Sequence, residues 1–294
     1  MNEPDTIVGA LRRNAEQHGD KVYLAFEGSK NKAQLTFGGL WSGGEAVAAT
    51  LMDVSDEDDV LLIFLPHTPA LITAFFGGIM CGRIAAIMPL PSAKQDPQIY
   101  WNSHRSLLDR IKPKVVITTA EQRTMLHDMA LDQYIGTILT PDDITPVTGP
   151  VTLPERRGED VAFLQHSSGT TGLKKGVMLS HEAVLRQVTS YRRSLDFSNS
   201  DVIASWLPLY HDMGLITSTV MPAIVGNTVA FVDPFEWLAR PNSLFRIVEA
   251  YKATRVWLPN FAFEHLVRVV DPARMIYDLG AMRSWISCSE PAKG

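Results

Sequence analysis

The stretch HSSGTTGLKKGVMLSHEAV, His166 to Val184, sets the hydroxyls of Ser167, Ser168, Thr170 and Thr171 among Gly169, Gly172 and Gly176, with Lys174 and Lys175 side by side. Glycines let a chain bend until successive N–H groups converge, and a concave row of N–H donors is a surface for phosphate oxygens. The hydroxyls add donors and the lysines add charge. Glycine- and serine-rich turns are common, so composition alone leaves a phosphate loop and a plain surface turn both open. Spacing narrows the field. A Walker-type loop needs G-x-x-x-x-G-K followed by Ser or Thr, whereas here the order is Lys-Lys-Gly. The dinucleotide fingerprint G-x-G-x-x-G also fails, because the glycines are separated by two and then three residues. The chain has no G-x-S-x-G nucleophile elbow, and His181–Glu182 lacks the second histidine of an H-E-x-x-H metal pair.

Two other segments carry side chains with chemical reach. SWLPLYHDMGLI, Ser205 to Ile216, holds His211 between Tyr210 and Asp212. From residue type alone, His211 fits either a hydrogen-bonded core histidine beside a helix-capping Asp212 or a ring placed against an anion. Trp206 and Met213 fit either core packing or a ligand channel. WISCSEPAKG, Trp285 to Gly294, ends an apolar run in Ser289, Glu290 and Pro291, which by themselves read as a turn.

The elements that must position these residues follow from the apolar pattern. Asp5 is placed to cap a helix over Thr6–His18 that Gly19 ends, followed by β-type runs at Val22–Phe26 and Gln34–Phe37 and a helical stretch near Gly44–Met52. Val60–Leu65 suits a strand covered on both faces. A helix over Ala70–Cys81, a strand at Ile84–Met88, a helix at Ile99–Ile111 and a strand at Val115–Thr119 come next. Thr140–Asp160, rich in Pro and Asp, reads as a connector between a first subdomain, 1–160, and a second, 161–294. From Val161, VAFLQ, DVIASW, NTVAFV, TRVWLP and RSWISCS read as strands among helical segments. The glycine-rich loop leaves the first of these and precedes a helix capped by Ser180. Such alternation implies an α/β fold of mostly parallel sheet flanked by helices.

Bulk properties exclude some classes of function. A formal net charge of −5 argues against a nucleic-acid binder. Cys81 and Cys288 are the only cysteines, too few for a disulfide framework or thiolate metal site, and a reducing cytoplasm fits them. The start has no basic region followed by an apolar run, so no secretory signal is expected. Val60–Gly82 contains no Asp, Glu, Lys or Arg and is long enough for a bilayer, but Pro66, His67 and Pro69 divide it into strand, turn and buried helix. No membrane span is expected.

SSGTTGLKKGV resembles the T-S-G-T/S-T-G-x-P-K-G-V loop of the adenylate-forming enzymes, the acyl-CoA synthetases, fatty acyl-AMP ligases and adenylation domains. Lys174 stands at the family's proline and Lys175 at its lysine. The resemblance implies that Ser167, Ser168, Gly169, Thr170, Thr171, Gly172, Lys175 and Gly176 fold over the β- and γ-phosphates of ATP, with Lys174 a solvated neighbour. SWLPLYHDMGLI resembles the motif of the fatty acyl-AMP ligase branch. It implies that His211, with Lys175 a catalytic residue, lies near the substrate carboxylate and α-phosphate. Trp206, Tyr210, Met213 and Gly214 would line the acyl channel. WISCSEPAKG resembles the adenine-binding turn, implying that role for Ser289, Glu290 and Pro291, although Cys288 stands where glycine is common.

The resemblance covers nearly the whole chain. It implies two mostly parallel sheets of an incomplete amino-terminal domain. The family's Mg²⁺-holding glutamate, ribose aspartate and carboxy-terminal lid domain have no counterpart before Gly294, so no metal ligand is expected here. The implied activity is ATP- and Mg²⁺-dependent activation of a carboxylic, fatty acid to its adenylate. Transfer to CoA or to the pantetheine of an acyl carrier protein would follow. A chain so shortened is expected to be nearly inactive alone and to self-associate through exposed sheet edges. The alternative is a non-catalytic fragment that binds acyl group or nucleotide, or serves folding.

Overall fold

The computed structural model describes residues 4–28, 32–91, 95–166, 176–271, 273 and 276–288. The chain forms two compact units, the first from Met1–Arg12 and Gly39–Arg186, the second from Arg13–Gly38 and Gln187–Gly294. Helix α1 (Ile7–His18) is capped by Thr6, whose Oγ1 accepts from Gly9 N at 3.1 Å, and not by the expected Asp5. The strands β1 (Val22–Glu27) and β2 (Lys32–Thr36) form an antiparallel pair, and helix α2 (Phe37–Met52) follows.

In the first unit the charge-free stretch folds as its prolines require, into strand β3 (Val60–Phe64), a turn, and helix α3 (Pro69–Met80) with proline in its first turn. Leu61 to Phe64 are fully buried, as a strand covered on both faces must be. Among the described residues no helix is long and apolar enough to cross a membrane. Helix α2 begins well before the expected Gly44, because its glycines serve packing and not a turn. A methyl on Gly44 would stand 2.5 Å from Met80 Sδ, and one on Gly77 of α3 would stand 2.6 Å from Val47 Cβ and 2.8 Å from the Gly44 carbonyl oxygen. The two helices therefore pack closer than side chains permit, and this contact outweighs the poor helix propensity of glycine.

Strand β4 (Ile84–Ile87), helix α4 (Pro97–Ile111), strand β5 (Val115–Thr118), helix α5 (Ala120–Asp128) and strand β6 (Thr137–Leu139) continue the alternation. Asp96 caps α4 through Gln98 N at 2.8 Å, which starts that helix two residues ahead of Ile99. Fully buried Trp101 of α4 donates its indole N–H to Gln122 of α5 at 2.8 Å. Strands β7 (Val161–His166) and β8 (Gly176–Ser180) complete a sheet of order β6-β5-β3-β4-β7-β8, parallel except at the β7–β8 edge. After β6, Thr140 N and Oγ1 both donate to Asp143 Oδ2, at 2.7 and 2.8 Å. Arg156, almost fully buried, pairs with Glu57 and Asp58 at 2.8 Å and with Asp160 at 3.4 Å. Helix α6 (His181–Leu195) starts with Ser180 Oγ accepting from Ala183 N at 3.2 Å, the cap its sequence indicates.

The second unit contains β9 (Val202–Ser205), α7 (Asp212–Leu215), a π-helical turn (Ile216–Val220), α8 (Met221–Val225), β10 (Thr228–Phe231), α9 (Pro234–Ala239), α10 (Asn242–Tyr251), β11 (Arg255–Pro259), α11 (Asn260–Val269) and β12 (Ser284–Cys288). Its sheet runs β12-β11-β9-β10-β1-β2, parallel except between β1 and β2. Two mostly parallel sheets flanked by helices are thus present. They do not divide at residue 160: β7 and β8 belong to the first sheet through β4, and β1 and β2 join the second through β10.

An ionic cluster fastens the start of three strands in the second unit. Buried Asp201, just before β9, accepts from Arg255 Nε at 3.1 Å, Thr254 Oγ1 at 2.7 Å and Arg283 at 3.3 Å. Arg255 also donates to Ser284 Oγ at 2.6 Å and the Asp196 carbonyl at 2.9 Å. Burial alone would raise the Asp201 carboxyl, but hydrogen bonds from Ser198, Thr254 and Arg255 and the Arg255 charge hold it below the ordinary range.

Removing one partner of such a pair leaves the other charge buried and unmatched. Asp201→Ala should lower the free energy of denaturant unfolding by about 3 kcal/mol or more. Arg186→Ala, which breaks the exposed Arg186–Glu182 pair, should change it by less than about 1 kcal/mol.

His181 is buried, and its Nδ1 accepts from Ile7 N at 3.2 Å. Burial and the Arg156 charge push its pKa down to about 4, against the pull of Asp160. The folded state therefore holds the neutral ring, while the unfolded chain takes up a proton near pH 6.5. Stability should be full above pH 6.5 and fall as pH drops towards 4, by at most about 3 kcal/mol. Unfolding curves of the wild type and His181→Gln between pH 7.5 and 4.5 should show the slope shrinking in the variant.

Candidate active site

In a parallel sheet buried on both faces, side chains can meet a ligand only past the strand ends. The favoured place is the crevice outside the carboxyl ends where the strand order switches direction. In the second unit β9 leads to β10 on one side, and β10 leads to β11 on the other. Trp206, Tyr210 and His211 follow the carboxyl end of β9, and Asn260 and Phe261 follow that of β11. Residues 289–291 come directly after Cys288, the last residue of β12 and in register with Pro259.

In the first unit the glycine-rich segment likewise leaves a carboxyl end, that of β7. Ser167, Ser168, Gly169, Thr170, Thr171, Gly172, Lys174 and Lys175 lie outside the described residues, as do Ser289, Glu290 and Pro291. The flanks are described: His166 and Gly176 face each other as the last pair of the β7–β8 ladder. Strand β8 stands between the segment and α6, which begins after Ser180 as the sequence indicates.

His211 is not a core histidine. It is exposed and caps α7, with its N–H donating to the Pro208 carbonyl at 3.1 Å and its carbonyl accepting from Leu215 N at 2.8 Å. These backbone bonds fix where the ring emerges. The ring packs against Tyr210 at 5.1 Å and makes no hydrogen bond among the described residues. Burial, and then the negative Asp233, raises the Tyr210 hydroxyl above its usual pKa, so it stays protonated. The Asp212 carboxylate bonds Met213 N at 2.7 Å within the same turn. Gly214 has a structural reason of its own: a methyl there would overlap the Pro208 carbonyl oxygen and stand 2.9 Å from its carbon. Only glycine lets the 207–211 turn close against α7.

Trp206 is buried and stacks on Trp237 of α9 at 3.8 Å with the rings 5° from parallel. Phe261 of α11 stands edge-on at 6.0 Å from Trp206, and His265 lies 5.5 Å from Trp237. The ring nitrogens Nε1 of Trp206, Nε1 of Trp237 and Nε2 of His265 are buried without partners among the described residues. A buried donor left unmatched costs about 1–3 kcal/mol, so this cluster is set up for an acceptor from water or ligand. Sequence reasoning missed Trp237, Phe261 and His265, which share no periodic signal with Trp206.

It also missed the π-helical turn that seats buried Thr217, Ser218 and Thr219. Pro222 was the available clue: a proline inside a helix removes a backbone donor, and a wider turn before it absorbs the mismatch. Among the described residues no cluster of three or more His, Cys, Asp or Glu side chains can hold a metal ion.

Comparison with known proteins decides what this arrangement belongs to. The family model described as AMP-binding enzyme matches residues 11–293. The chain belongs to the AMP-binding enzymes. It is 30% identical, over 97% of its length, to a long-chain-fatty-acid–AMP ligase of Mycolicibacterium smegmatis, covering 47% of that protein. It is 24% identical over its whole length to a medium-chain-fatty-acid–[acyl-carrier-protein] ligase of Moorena producens, covering 51% of it. Among solved structures, it is similar to the fatty acyl-adenylate ligase of Legionella pneumophila in complex with acyl adenylate and pyrophosphate. The TM-score is 0.83 and the identity 26%, over 99% of this chain and 51% of that one. The chain spans about half the length of the curated relatives it matches.

The turn that carries Tyr210 and His211 should depend on the close approach at Gly214. Gly214→Ala should destabilise the fold by about 1–3 kcal/mol and shift the NMR signals of the Tyr210 and His211 rings. Unmoved ring signals with an unchanged melting temperature would dissociate Gly214 from the turn.

Proposed function

We propose that this chain supplies the nucleotide- and acyl-binding part of an ATP-dependent ligase that converts a fatty acid to its acyl-adenylate and passes the acyl group to CoA or carrier-protein pantetheine. One observation carries the reading. The three motif-bearing segments leave the carboxyl ends of β7, β9 and β12, where parallel sheets present ligands, in a chain matched to AMP-binding enzymes over residues 11–293. The printed names of the two relatives, a fatty-acid–AMP ligase and an acyl-carrier-protein ligase, support the acid and the acceptor.

In the proposed step a carboxylate oxygen attacks the α-phosphorus of ATP, the new O–P bond forms, and pyrophosphate leaves with the bonding pair. Both reactants are anions, so cationic and N–H donors must offset their repulsion. Lys175 and the hydroxyls and amides of Ser167, Ser168, Gly169, Thr170, Thr171, Gly172 and Gly176 would hold the β- and γ-phosphates. His211 would donate to the carboxylate or α-phosphate, an exposed ring on a turn fixed by its own backbone bonds. Trp206, Tyr210, Met213 and Gly214 would border the acyl group, and Ser289, Glu290 and Pro291 the adenine. Mg²⁺ would neutralise phosphate charge when bound. A cytoplasmic location suits Cys81 and Cys288, both free thiols.

Fatty-acid-dependent exchange of labelled pyrophosphate into ATP, measured on the protein as its gene encodes it, tests the proposal. Lys175→Ala and His211→Ala should each slow exchange about a hundredfold or more with unchanged melting temperature. Exchange rates equal to wild type in both variants would overturn the site assignment.

A further inference from the structure

The first unit has a switch point of its own. Strand β3 leads through α3 to β4 on one side, and β4 leads through α4 to β5 on the other. Outside the carboxyl ends of β3 and β5 lies a cavity of about 400 Å³, with Leu65 and Ile117 at its base. Its walls come from α2 and α3, through small residues such as Ala46 and Ala74, and its cover from residues 141–147 after β6.

Among the described residues no Asp, Glu, Lys, Arg, His or aromatic side chain lines this cavity. Its two hydroxyls are committed to their own helices: Thr73 Oγ1 donates to the Pro69 carbonyl at 3.1 Å, and Ser42 Oγ to the Gly39 carbonyl at 3.4 Å. The cover is held at its near end, where Asp143 accepts from Thr140 and from Arg123 at 3.0 Å. With neither charge nor a free side-chain donor among its described lining residues, the cavity stabilises a ligand chiefly through buried methylenes, about 0.8 kcal/mol each.

We propose that this cavity binds an uncharged hydrocarbon chain, as a site of the first unit in its own right. It needs none of the residues assigned above to carboxylate activation, so its success or failure is separate from that of the adenylation reading.

Calorimetric titration of the full chain with 1-octanol tests it. One saturable site with a Kd below about 1 mM is expected. Ala74→Leu fills the cavity from α3, and Val147→Trp fills it from the irregular cover, where a larger side chain leaves the sheet untouched. Each should weaken octanol binding about tenfold or more at unchanged melting temperature. Octyl sulfate, the same chain with a charged head, should bind no more tightly than octanol. No saturable binding, binding unmoved by either folded variant, or a variant-sensitive preference for octyl sulfate of about tenfold would each overturn the proposal.

Discussion

Burial of parallel strands on both faces is the constraint behind the rest of this protein. Leu61 to Phe64 in β3 and Val256 to Leu258 in β11 are almost wholly removed from water. A polar side chain on such a strand would be buried without solvent, so chemistry is pushed beyond the last paired residue. The residues proposed to act on ATP and acid follow that rule, leaving the carboxyl ends of β7, β9 and β12. In the second unit the opposite ends do a different job. Asp201, Arg255, Arg283 and Ser284 tie together the starts of β9, β11 and β12. The ionic anchor ties the strands at one end, and the opposite ends carry the segments proposed to meet ligand.

The same constraint explains the precision of the turn around His211. Past the end of β9 the chain has no ladder to position it. Local bonds take over: Ser205 Oγ accepts from Leu207 N at 3.2 Å, the Pro208 carbonyl from His211 N, and Gly214 admits that turn against α7. The π-helical turn and the Trp206–Trp237 stack then brace it from below. An exposed imidazole on a rigid backbone is pre-oriented for a ligand, which lowers the ordering cost on binding.

The apolar alternation was legible in the sequence because strands β3, β4, β5, β9, β10 and β11 are short runs bounded by glycine, proline or polar residues. The Ser180 cap was legible for the same local reason, whereas the Asp96 cap that starts α4 at Pro97 was not read from the sequence. Strand β8 was not: Gly176 to Ser180 are half or more exposed over much of their length and carry no alternation of their own. The strand exists because β7 offers an open edge. Helix α2 was legible only in its second half, since glycine weakens a helix in isolation and strengthens this one by letting α3 approach.

The sequence by itself determined the α/β class, the Ser180 cap, the strand division of the charge-free stretch and the three motif segments, all of which depend on neighbours within a few residues. Only the tertiary structure decided that β1 pairs with β10, that β7 and β8 close the first sheet, and that Trp237 lies on Trp206. These depend on contacts between distant residues, where many pairings have compatible patterns. The choice among them falls to packing, hydrogen-bond completion and buried charge together.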